Sequence, residues 1–197
     1  MTVKNLIVNA DDFGRTLNIN KGIEIGYLKG IVSSASLVAS SQAFDDAVDI
    51  ALRNPNLGIG VHLTLHEYPP LFESSFLKKL SLLNNIELYL RITRASNHEI
   101  NLIEKNFILQ INKIVESGIQ PTHLDGHNHM HVHPRLSGVL KRIIKQTNIS
   151  NIRMPFERIS SYSNFASRVK KWTLASASLI AWSRLNNLAA YPKWFHG

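Results

Sequence analysis

Leu124-Asp125-Gly126-His127-Asn128-His129-Met130-His131-Val132-His133 is the stretch on which the reading of this chain turns. Together with His123 it gathers five of the nine histidines into eleven residues. In extended backbone, side chains at i, i+2 and i+4 share a face, so the alternating imidazoles are expected to converge on one side. Neutral imidazole is the commonest metal ligand and a proton shuttle near neutral pH. The cluster is internal and interrupted by Asn, Met and Val, unlike a purification tag. A merely solvated His-rich loop is the bland alternative. A metal or acid/base centre needs further ligands, and these have to come from other parts of the chain.

Immediately upstream, Pro121-Thr122-His123-Leu124-Asp125 reads as a strand that delivers the cluster at its C-terminal end. Before it, Ile100, Ile103, Phe107, Ile108, Ile111, Ile114 and Val115 recur at helical spacing. Ser96 or Asn97 can cap the start of that helix and Gly118 can end it. Further back, Leu57 to Leu65 forms an apolar strand with His62 in its middle. Ala43 to Leu52 reads as a helix, and Ile31 to Ala39 as a strand whose small polar side chains suit a crowded interior or a substrate-facing wall. Asn20 to Leu28 reads as the first helix, capped by Asn18, Asn20 or an upstream aspartate. Leu6-Ile7-Val8 reads as a buried strand running into Asn9-Ala10-Asp11-Asp12-Phe13-Gly14, two adjacent carboxylates closed by a glycine turn. Neighbours on a strand point to opposite faces, so two roles are expected for the pair rather than two equivalent ligands.

Downstream, Pro134 starts a helix through about Lys145, and Ile152-Arg153-Met154-Pro155 reads as a fifth strand. A helix from about Phe165 to Ala190 has a broad apolar surface with Lys170, Lys171 and Arg184 beside it. It is either a core helix or one that rests on a membrane surface. His66 to Ser96 reads as a long, partly helical insertion over the site. Alternating strands and helices imply a parallel sheet of βα units, whose functional groups gather at the C-terminal strand ends. Asp11-Asp12, His62, the Asp125–His133 cluster and Arg153 all fall on strands or at their ends.

Composition narrows the classes. The 197 residues suit one domain, and 44% hydrophobic with 18% charged residues is ordinary for a globular protein. There is no cysteine, so disulfides and thiolate metal sites are excluded and a metal has to be held by imidazole and carboxylate. The net charge of +8 is spread over short pairs with no basic run, which argues against a nucleic-acid partner. The N-terminal apolar run is too short for a signal segment and no stretch is long enough to span a membrane, so a cytoplasmic location is expected.

An acid with two imidazoles leaves open positions on a divalent ion, which can polarise a carbonyl and activate water. A second carboxylate can take the water's proton, and Arg153 is placed to hold that carboxylate, Asp11, ionised and oriented. The set spells metal-assisted hydrolysis without naming the bond.

The three segments Ile7–Gly14, Gly60-Val61-His62-Leu63-Thr64 and Pro121–His131 occur in an order that resembles the YdjC-like carbohydrate deacetylases. These include chitooligosaccharide deacetylases and hopanoid-biosynthesis-associated members, and the segment from Lys170 to Gly197 is similar to the latter branch. The resemblance covers roughly residues 4 to 155. It implies an α/β fold, a deformed (β/α) barrel of the polysaccharide-deacetylase-like type, with residues 1–197 as one unit. It also implies hydrolysis of an N-acetyl group on an acetylated amino sugar, in an oligosaccharide or glycolipid. Carried over by motif, Asp12, His62 and His127 would bind a divalent metal, Mg2+ or Zn2+, and Asp11 would be the general base. His131 is a candidate for proton delivery, and His129 and Asp125 for substrate contact. Members of the family generally continue into further barrel units with a late His-Pro-Gly segment, so this chain is expected to be truncated at its C-terminus. A homo-oligomer could cover the edge of an incomplete barrel. The alternatives are a catalytically impaired remnant that binds a ligand or membrane surface, and a hydrolase of another bond such as a phosphoester.

Overall fold

A computed structural model describes residues 6–155, 165–185 and 187–192, without the side chains of 165–173. Four strands, β1 (Asn9–Phe13), β2 (Ser34–Leu37), β3 (Gly58–Leu63) and β4 (His123–Gly126), form one sheet in the order β1-β2-β3-β4. Every pairing is parallel. The connections run through α1 (Leu17–Lys29), α2 (Phe44–Arg53), and then three helices, α3 (Ser75–Ser81), α4 (Asn85–Thr93) and α5 (Asn97–Glu116). Helices α6 (Ser137–Thr147) and α7 (Phe165–Leu185) follow β4. The expected α/β class with parallel βα order is therefore present. Among the described residues the sheet is open.

Local chemistry explains the boundaries. Helix α5 starts at a capping box: Ser96 Oγ accepts from the Glu99 amide, and the Glu99 carboxylate accepts from the Ser96 amide. Its Ile100, Ile103, Phe107, Ile111 and Ile114 bury one stripe. Asn84 and Glu87 build a second capping box on α4, inside the segment read only as partly helical. Helix α1 is capped by Thr16, not by either asparagine or an aspartate. Asn20 is instead fully buried and clamps the turn after β1. Its Oδ1 accepts from the Gly14 amide at 2.7 Å, and its Nδ2 donates to the Ala43 carbonyl and Asp46. Gly14 has φ +94°, a conformation open to glycine at little cost.

Three expectations are corrected. The first strand begins at Asn9 rather than Leu6, because the polar Asn9 bonds Ser34 and Ser36 on β2 while Leu6 and Ile7 stay exposed. The fifth strand is reduced to an isolated bridge between Ile152 and Leu124; Pro155 has no N–H with which to extend the ladder. The histidine stretch is not extended. Residues His127–Val132 form a 3-10 turn in which Asn128 and His129 take left-handed φ of 50° and 59°, so the imidazoles fan out instead of sharing one face.

Helix α7 ends at Leu185, and Ala190 lies in a bridge to Asn151. Ala177, Ala181 and Leu185 are buried, whereas Leu179 and Ile180 are exposed. The Lys170, Lys171 and Trp172 side chains, part of the expected membrane-facing surface, lie outside the described residues. Among the described residues, no helix is long and apolar enough to cross a membrane.

Candidate metal centre

The chemistry-bearing side chains meet at the C-terminal ends of β1, β3 and β4. On β1 the register slips between Ala10 and Phe13, and Asp12 takes a left-handed φ of 60°. A bulge of this kind re-aims side chains that a regular pleat would send to opposite faces. It brings two neighbouring carboxylates to one site with different partners, His62 and His127 for Asp12 and Arg153 for Asp11.

Asp12 is the hub. Its Oδ1 lies 3.2 Å from His127 Nδ1 and 3.7 Å from His62 Nε2. The Tyr68 hydroxyl donates to the same oxygen at 3.2 Å, and Arg15 donates to Oδ2 at 3.0 Å. Burial alone would raise the Asp12 carboxyl; contacts with His127, His62 and Arg15 outweigh it and hold the group well below the usual carboxylate range.

Behind His62 stands Asp125, fully buried. Its Oδ1 accepts from His62 Nδ1 at 2.8 Å, while Oδ2 accepts from Ser36 Oγ at 2.7 Å and lies 2.9 Å from Arg153 Nη2. The carboxylate fixes the tautomer that leaves His62 Nε2 with its lone pair toward Asp12. Burial works against the charged forms of both partners, yet the pairing lowers the Asp125 carboxyl and raises the His62 imidazole. With no exposed surface and both oxygens engaged, Asp125 has no way to touch a substrate. The structure thus places Asp125, the candidate for substrate contact, behind His62 and against Arg153.

Arg153 also reaches Asp11. Two N–H groups meet the two carboxylate oxygens at 2.8 Å each, and Asn9 Nδ2 adds a third donor at 2.8 Å. This is the orientation proposed from the residues alone. Asp11 remains 44% exposed beside the ligand set, so its carboxylate is fixed yet reachable.

The remaining histidines separate. His131 is buried and its Nε2 donates to the Arg153 carbonyl at 2.8 Å. Burial pushes its pKa down to about 4. The structure thus places His131, the candidate for proton delivery, in a buried position against the Arg153 backbone. His133 is buried against Tyr89, Thr93 and the Arg135 amide and is structural. His129 is partly exposed, near Arg153 and Asp11, with its pKa pushed to about 4 by burial and then by the Arg153 charge.

Several participants went unread in the sequence. The loop after β3 contributes His66, Glu67 and Tyr68. Gln110 on α5 pins this loop by bonding both the amide and the carbonyl of Thr64 at 2.9 Å. Tyr68 and His66 both stack near His127, with ring centroids 5.5 and 5.1 Å away. Their only sequence signal was a position just past the end of a strand that already carried His62.

Asp12, His62 and His127 offer one ligand atom each within 4.8 Å of one another. One carboxylate and two imidazoles, with a carboxylate behind one imidazole, suit a divalent ion that keeps open positions.

A "Carbohydrate deacetylase" of Brevibacillus brevis is 32% identical over 155 residues, covering 77% of this chain and 59% of that protein. A protein of the same name from Clostridium beijerinckii is 34% identical over 175 residues, covering 82% and 70%. A "Chitooligosaccharide deacetylase" of Salmonella paratyphi B is 31% identical over 146 residues, covering 74% and 57%. The chain thus spans about three fifths of the length of the first of these relatives. Among solved structures, a putative cellobiose-phosphate cleavage protein from Enterococcus faecalis V583 shares the fold, with a TM-score of 0.65 at 22% identity over 95% of this chain and 66% of that one. The family described as YdjC-like protein matches residues 5–197. With the aspartate pair, His62 and the histidine turn meeting at the strand ends, and with that match running nearly end to end, the chain belongs to the YdjC-like family.

Proposed function

We propose that this protein is a divalent-metal-dependent hydrolase that removes the N-acetyl group from an acetylated amino sugar. The observation that carries the reading is the Asp12–His62–His127 set with an Arg153-clamped Asp11 at its side. The names of the relatives support a carbohydrate substrate and deacetylation as the reaction.

Asp12, His62 and His127 would hold the ion, and two imidazoles favour a zinc-like ion over magnesium. When bound, such an ion polarises a carbonyl oxygen and makes water a stronger acid. Asp11 takes a proton from the attacking water as its oxygen bonds to the acetyl carbon. Arg153 keeps the Asp11 carboxylate aimed, so little orientation is lost at the moment of reaction. As the C–N bond breaks, Asp11 returns that proton to the departing amine, and acetate and the free amino sugar leave. Asp125 holds His62 in its tautomer, and His129, partly exposed and uncharged at neutral pH, contacts the sugar.

The test is acetate release from N-acetylated chitooligosaccharides by the metal-loaded protein beside Asp12→Ala and His127→Ala, with a phosphoester assayed in parallel. Loss of acetate release in both variants is expected. Full activity in either variant, or turnover of the phosphoester alone, would overturn the reading.

A further inference from the structure

We propose that His66, Glu67 and His127 form a second divalent-cation position, which shares His127 with the Asp12–His62–His127 set and is filled in alternation with it. This rests on the reading of His127 as a metal ligand. The two ring nitrogens of His127 face different acids: Nδ1 lies 3.2 Å from Asp12 Oδ1, and Nε2 lies 3.4 Å from Glu67 Oε2. Glu67 Oε1 is 3.9 Å from His66 Nε2, and the three residues offer ligand atoms within 4.8 Å of one another.

Two further observations point to a ligand on the Glu67 side. His127 is 8% exposed, and its Nε2 has no hydrogen-bond partner among the described residues. A buried polar atom left in this way is costly unless something else satisfies it. His66 is 1% exposed and its Nε2 accepts from the Asn128 side-chain amide at 3.1 Å, so that nitrogen carries a lone pair. Asn128 is exposed and can swing away, freeing that lone pair for a cation.

Alternation follows from the shared ring. A neutral imidazole has one lone pair, so His127 can serve either Asp12 and His62 or His66 and Glu67 at a given time. The second position is the more open one, since Glu67 is 45% exposed against 23% for Asp12. Arg15 opposes a cation in both places, lying 3.0 Å from Asp12 Oδ2 and 3.5 Å from Glu67 Oε2; it is 44% exposed and can move out. The simpler reading makes Glu67 only an outer-shell acceptor for a His127 N–H and leaves His66 with no part in binding. The experiment separates the two.

The full chain is stripped with chelator and titrated with Mn2+ by electron paramagnetic resonance, with circular dichroism confirming the fold of each variant. Wild type is expected to bind one ion. Asp12→Asn is expected to bind one ion still, more weakly by at least the roughly 10–100-fold that loss of a supporting group costs. Adding Glu67→Gln or His66→Gln to Asp12→Asn is expected to abolish saturable binding; the exposed Glu67 serves should the buried His66 variant fail to fold. Binding by the double variants equal to that of Asp12→Asn would overturn the second position. So would complete loss of binding in Asp12→Asn while wild type binds, which would leave the proposed metal centre standing. Two ions bound at once in wild type would overturn the alternation, and no ion bound by wild type would overturn both proposals.

Discussion

Arg153 grips Asp11 with two N–H groups at 2.8 Å each, across 142 positions of sequence. The same guanidinium lies 2.9 Å from the buried Asp125. One cation thus couples the proposed base to the carboxylate that stands behind His62. The planar fork fits a carboxylate in a way that a lysine ammonium does not.

Arg153→Lys is therefore expected to keep the fold and the metal while losing the alignment of Asp11. Acetate release should fall about 100-fold, the scale on which misplaced groups cost activity, with metal affinity nearly unchanged. Initial rates beside a metal titration check this. Equal losses in both would mean that Arg153 acts on the metal ligands through Asp125 and His62 instead.

Asp125→Asn keeps the shape of the side chain but removes the charge behind His62. Metal affinity should drop by roughly 10–100-fold, and chelator competition reads it directly. An unchanged affinity would mean that His62 is held by packing alone.

Gly60 on β3 lies against the His123 ring, and a Cβ there would overlap His123 Nε2. The ring is held by Thr122 Oγ1 at 2.9 Å and has Ser36 Oγ at 3.5 Å. Gly60→Ala should cost about 1–3 kcal/mol, the usual range for overpacking. Adding His123→Ala should recover most of that loss in urea unfolding. No recovery would place the strain elsewhere.

Acid should weaken the fold before it protonates the buried carboxylates. Burial holds His131 and His133 down at about 4, from an ordinary 6.5. Between those values the unfolded chain binds protons that the folded chain does not, so stability falls as pH drops from 6.5 toward 4. Each histidine contributes on the order of a few kcal/mol to the fall. His62 works in the opposite direction. Its pKa is raised by Asp125, so its contribution is full below 6.5 and is lost as pH climbs through the raised value. Urea midpoints at pH 7 and 4.5 check the net sign, and His133→Gln should flatten part of the slope.

Much of this site could be read one residue at a time. Asp11-Asp12, His62 and the Asp125–His133 cluster stand out because acids and imidazoles at strand ends are chemically conspicuous, and Arg153 because a carboxylate base needs a partner; the choice of Asp12, His62 and His127 within that group comes from the family resemblance. Where local backbone chemistry decides the conformation, the reading also held: the Ser96 cap and apolar stripe of α5 are visible in order along the chain. It failed where distant contacts override local pattern. The alternation of histidines suggested an extended face, yet the chain folds there into a turn with two left-handed residues. The surrounding packing puts His131 under Arg153 and His133 against α4.

By itself, then, the order of residues determined the βα succession, the secure helices and the chemical inventory of the centre, because propensity, capping and side-chain type are local properties. Only the tertiary structure decided which partners each histidine meets. The bulge at Asp12, the burial of Asp125 and the approach of the His66-Glu67-Tyr68 loop all depend on how strands far apart in sequence are placed in register. A ring nitrogen becomes a ligand, a buried donor or a spare lone pair according to the partner that packing brings to it.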